Sequence, residues 1–113
     1  MIMHKDLAAG RWFTFSLIEQ MANVGSDIIR TVSWKNKGNI EYSRMAFERA
    51  LELLSLTIAD PKNKKGSRLR ELVRTRESLI DHFVFDNEYN TTDEIWCNYF
   101  LAFNYAAAVQ KGR

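Results

Sequence analysis

The stretch that most constrains the fold runs from Gly38 to Pro61, GNIEYSRMAFERALELLSLTIADP, because it contains a helix start, an apolar face, a charged face and a helix stop. Asn39 can accept hydrogen bonds from the unpaired amides of a first turn, and Pro61 disfavours helical backbone at Asp60 before it. At about 100° per residue, Ile40, Phe47, Ala50, Leu51, Leu54 and Ile58 share one side, flanked by Tyr42, Ala46 and Leu53. Glu41, Arg44, Glu48, Glu52 and Ser55 take the opposite arc, with Arg44 and Glu48 spaced for a weak exposed ion pair. So wide an apolar face suits contact with two neighbouring helices.

Three further segments carry the same helical period. Trp12 to about Trp34 places Leu17, Met21, Val24, Ile28 and Val32 on a broad face with Gly25 among them, and turns Glu19, Asn23, Ser26, Asp27 and Arg30 away. Trp12 and Trp34 fall toward its polar side, where each can cover a loop or join a partner surface. After the loop PKNKKGS, a third helix is predicted from near Ser67 to around Phe85. After DNEYN, Thr91 and Glu94 have the spacing of a capping box, so a fourth should start there and run to about Gln110. Four amphipathic helices on short loops pack most simply as an all-α, antiparallel up-down four-helix bundle over residues 10–113, with residues 1–9 as a flexible tail or short extra turn.

Composition narrows the function classes. A chain of 113 residues has the size of one domain, and 46% hydrophobic with 27% charged residues is ordinary for a packed protein. A formal charge of +2 is too small to imply nucleic-acid binding by itself, so any basic function must be local. Cys97 is the single cysteine, which excludes an intrachain disulfide and agrees with a reducing compartment. The start MIMHKDLAAGRW has no apolar core long enough for secretion, and no apolar run approaches a membrane span, so a cytoplasmic location is expected.

Several chemistries lack their residues. In DNEYNTTDE, counted from Asp86, the sixth position of a calcium loop is Thr91 instead of glycine and the twelfth is Cys97 instead of glutamate. A di-iron bundle needs Glu-x-x-His pairs, but the chain has only His4 and His82 and no such pair. With no glycine-rich phosphate loop either, no cofactor and no metal is expected. A lone thiol on an apolar helix is more often inert than nucleophilic.

Three resemblances are carried by particular residues. Gly38, Ser43, Phe47 and Ala50 occupy positions similar to those of the second helix of a tetratricopeptide repeat, over about half a repeat and with no second copy to stack on. Arg76, five intervening residues and His82 resemble the Arg-x(4-6)-His spacing of HEPN domains, small helical bundles of which many are dimeric ribonucleases. That resemblance implies a phosphate or transition-state role for Arg76 and an acid-base role for His82, at a site formed between two subunits. Glu77 departs from the polar residue many members carry there, and six helical steps separate Arg76 from His82 by about 120°. More broadly, ALELLSLTIADP with RLRELVRTRESLIDHFVFDNEYNTTDEIW is similar to small prokaryotic helical proteins without an assigned activity, a likeness that transfers no catalytic residue.

Two features depart from an ordinary bundle. Arg76 falls within the stripe of Leu69, Leu72, Val73, Leu79, Ile80, Phe83 and Val84, where a guanidinium needs an acidic partner, carbonyl acceptors or a route to solvent. The fourth helix, IWCNYFLAFNYAAAV, is apolar nearly all round, which three other helices can hardly enclose, so a homodimer is expected with Trp96, Tyr99, Phe100 and Phe103 as its aromatic interface. Charge is also uneven. Lys62, Lys64, Lys65, Arg68, Arg70 and Arg74 form a basic stretch able to contact RNA phosphates, while Asp81, Asp86, Glu88, Asp93 and Glu94 form an acidic one. The function expected is a non-enzymatic helical interaction module that self-associates and can bind another protein. The alternative is a HEPN-like ribonuclease or an RNA-binding protein.

Overall fold

The computed structural model describes residues 10–112, and the expectation for residues 1–9 lies outside them. Among the described residues there are four α-helices and no strand: α1 (Leu17–Asn36), α2 (Ile40–Ala59), α3 (Arg68–Phe83) and α4 (Asp93–Lys111). They form the expected antiparallel four-helix bundle. Two short 3-10 turns, Arg11–Thr14 and Pro61–Asn63, sit before α1 and after α2.

The joints follow from local chemistry. Ser16 starts α1 with a capping box, its hydroxyl accepting from Glu19 N while the Glu19 carboxylate accepts from Ser16 N. The first helix therefore begins at Leu17, not at Trp12 as periodicity suggested. Gly38 ends α1 at φ 81°, and Gly38 N donates to Lys35 O while Asn39 N donates to Trp34 O. This is the bond pattern of a Schellman turn, which favours glycine at its left-handed residue. Asn39 then caps α2 by accepting from Tyr42 N. At the start of α4 the cap is Thr92, which accepts from Ile95 N, and the predicted Thr91–Glu94 pair does not form. The neighbouring threonine is drawn into tertiary bonds instead.

Helix α1 is the hub. It packs most extensively on α2 and next on α4, while α3 lies against α2 with slighter contact. Met21, Val24 and Ile28 of α1, Phe47, Leu53 and Leu54 of α2, Leu72 and Leu79 of α3, and Trp96 and Phe100 of α4 make one apolar cluster. The α1–α4 crossing is unusually close because it uses Gly25: a Cβ there would lie 2.5 Å from Phe100 Cβ.

Some expectations about faces are overturned. Trp12 is buried, with its indole Nε1 donating 3.1 Å to Thr57 Oγ1, because the 3-10 turn tucks it under α2. Trp34 stays half-buried and meets Tyr42 edge-on across the α1–α2 turn. Ile40, counted on the apolar face, is exposed at the first residue of α2. Asp27, counted on the polar arc, is buried and accepts from Arg30 at 2.9 Å.

The end of the bundle beneath Trp12 holds a buried polar network. Gln20 Nε2 donates to Trp12 O and to Asp60 Oδ2, and Asn63 Nδ2 donates to Gln20 Oε1 and Thr57 O. Lys62 Nζ closes it by pairing with Asp60 and donating to Phe13 O. These bonds offset most of the desolvation of the buried polar groups, and Asn63 Oδ1 is left without a hydrogen-bond partner among the described residues.

Candidate functional site

The side chains singled out by sequence separate into three places. Arg76 is half-buried on α3, and its Nε donates weakly to Ser55 Oγ of α2 at 3.4 Å. The stem thus runs along apolar surface while the head reaches the edge of the bundle. His82, near the C-terminal end of α3, turns toward α4. One chain therefore sends the two residues to different neighbours and does not bring them into one cleft.

His82 sits at a joint of three helices. Its Nε2 lies 2.7 Å from Asp93 Oδ1 and its Nδ1 lies 3.0 Å from Thr91 Oγ1, so both ring nitrogens are engaged. Thr91 Oγ1 also accepts from Trp96 Nε1 at 3.1 Å. Asp93, the first residue of α4, takes Lys35 Nζ of α1 on its other oxygen at 2.6 Å. Burial pushes the Asp93 carboxyl up, but the hydrogen bonds and charges of Lys35 and His82 outweigh that and hold it below its usual range. A carboxylate beside a histidine is one element of acid-base machinery, and here the same contacts tie α1, α3 and α4 together.

Cys97 lies one turn further along α4. Burial, and then the Asp93 charge, raise its thiol above the ordinary range, which opposes thiolate formation. Among the described residues no group of three or more His, Cys, Asp and Glu is placed to hold a metal ion.

The expected aromatic interface divides. Trp96 and Phe100 are buried in the chain's own core, Phe103 is half-buried against it, and Tyr99 is exposed. The outward face of α4 is instead Ile95, Tyr99, Leu101, Tyr105 and Val109, with Tyr105 75% exposed. Between Glu94 and Lys111 this face carries no charged residue. Sequence composition flagged the helix, but which of its aromatics faced outward depended on the Gly25 crossing.

The basic stretch divides as well. Lys62 is withdrawn into the network with Asp60 and Phe13, so its ammonium already has partners. Arg68 reaches back to Lys62 O at 3.4 Å. Lys64, Lys65, Arg70 and Arg74 remain exposed, the arginines on the outer side of α3. The Gln20–Asp60–Asn63 network gave no sequence signal, because polar residues near loops read as solvated.

No protein-family model, no curated protein and no solved structure matches this chain. The HEPN resemblance therefore stands on the Arg76–His82 spacing alone. Among the described residues no helix is long and apolar enough to cross a membrane.

Proposed function

We propose that this protein is a non-enzymatic helical interaction module that pairs with a second copy of itself through α4. One observation carries the reading: the outward face of α4 exposes Ile95, Tyr99, Leu101, Tyr105 and Val109 on one uncharged arc, with Asn98 among them. Leaving each such side chain half in water forgoes on the order of 1 kcal/mol. A contiguous apolar patch of this kind marks an interaction surface more often than a solvated one. Because the stripe lacks charge, it complements itself under a two-fold axis. The single thiol of Cys97, with no cysteine to pair with, fits work in a reducing compartment such as the cytoplasm.

Light scattering across a concentration series tests the reading. At about 500 mM salt, where pairing through exposed charges is screened, the wild-type chain should show the mass of a dimer, and Leu101→Glu with Tyr105→Glu should show that of a monomer with unchanged helical circular dichroism. A wild-type chain that stays monomeric at about 0.5 mM, where even weak dimers populate, would overturn it.

A further inference from the structure

The outer side of α3 has an organisation that the α4 pairing does not use. Two shallow clefts run along it and meet at Glu77. The first is lined by Gly66, Leu69, Arg70, Val73 and Arg74. The second is lined by Ile80, Asp81, Phe85, Glu88 and Tyr89. The Asp81 carboxylate accepts from Glu88 N and Tyr89 N, which folds the loop after α3 back along the same side. One half of this surface is therefore basic with aliphatic residues between the charges, and the other is acidic with two aromatic rings, Phe85 being 70% exposed.

Arg70, Arg74, Glu77 and Glu88 form no side-chain hydrogen bond or ion pair among the described residues, although Arg74 and Glu77 are one turn apart. Four charges, basic on one half and acidic on the other and none paired among the described residues, are arranged so that the surface is complementary to its own inverted copy. From this charge complementarity we infer that the outer side of α3 is a second self-pairing surface, on which another copy of this chain docks with its α3 antiparallel. A two-fold axis midway between Arg74 and Glu77 sets each Arg74 opposite Glu77 of the second copy and keeps the two Glu77 side chains from facing each other. The same rotation brings Arg70 and Arg74 within reach of Glu77 and Glu88 of that copy, and reciprocally. The aromatic rings supply the apolar contact and the charges fix its direction, as charged rims do at protein interfaces.

The test uses charge reversal in the full chain, in the wild type and in a Tyr105→Glu background that removes the α4 contribution. Two variants are made: an acidic one, Arg70→Glu with Arg74→Glu, and a basic one, Glu77→Lys with Glu88→Lys. Both alter exposed side chains, and circular dichroism checks that each folds. In the Tyr105→Glu background, sedimentation at about 50 mM salt should show self-association that weakens at about 500 mM, since exposed charge pairs are screened. Each variant alone should associate at least about tenfold more weakly, because like charges then face each other. An equimolar mixture of the two should recover association as a mixed dimer. A background chain that is monomeric at low salt, or a mixture no heavier than its separate components, overturns the inference. So does binding of single-stranded RNA that Arg70→Glu with Arg74→Glu abolishes while the mass of the chain stays unchanged.

Discussion

Gly25 is the residue on which the α1–α4 contact turns. A methyl group there would sit 2.5 Å from Phe100 Cβ, an atom fixed to the backbone of α4 and unable to swing aside. Alanine gains about 1 kcal/mol in helix propensity over glycine, whereas overpacking a core costs about 1–3 kcal/mol. The steric cost should win, so Gly25→Ala is expected to lose about 1–2 kcal/mol in urea unfolding, and Gly25→Val more. A Gly25→Ala protein as stable as wild type would show that α4 can shift freely. Sequence placed Gly25 on the buried face of the first helix, yet glycine there reads only as a propensity penalty. Its use as a notch for Phe100 required the fold.

At the scale of elements, the four helices and their approximate ends were legible because capping residues and the 3.6-residue period are local. Asn39 and Pro61 bounded α2 within one residue. The start of α4 was misplaced by one threonine because Thr91 and Thr92 are chemically alike, and His82 and Trp96, distant in sequence, decide which of them caps. Trp12 was misplaced because a single helical period was extended through a 3-10 turn. Polar groups in the Gln20–Asp60–Asn63 network were illegible for a related reason: periodicity registers apolar burial and is blind to polar residues that satisfy one another. The helices also differ in their support. Two residues of α3, Leu72 and Leu79, and two of α4 are buried, against nine of α1, but α4 packs along α1 whereas α3 touches α2 only slightly. Hydrogen exchange should therefore run fastest, among the helix interiors, in α3 and slowest in α1. Equal protection of the two helices would contradict that order.

For the whole molecule, the two ends of the bundle are each locked by a carboxylate, Asp60 beneath Trp12 and Asp93 at the His82 joint. Burial raises the Asp60 carboxyl, but hydrogen bonds from Lys62 and Gln20 outweigh it and leave it below its ordinary range, as at Asp93. A carboxyl depressed in the folded state contributes stability that is present above its unfolded value of about 4 and is lost as pH falls through the folded value. Both ends should thus loosen together below about pH 4. Asp60→Asn with Asp93→Asn should be less stable at neutral pH and should lose less on acidification than wild type, as measured by thermal melts between about pH 2 and pH 7. Parallel acid limbs for the two proteins would assign the acid sensitivity to other carboxylates.

Helices α3 and α4 do not pack along their lengths and touch at the His82–Asp93 joint, so their outer sides face away into different solvent. Occupying one leaves the other open. Under the two proposed pairings the subunit has a valence of two, and its copies need not stop at a pair. Where the two rotation axes cross at right angles, four copies close on themselves; where they do not, growth continues end to end and its length is set by protein concentration.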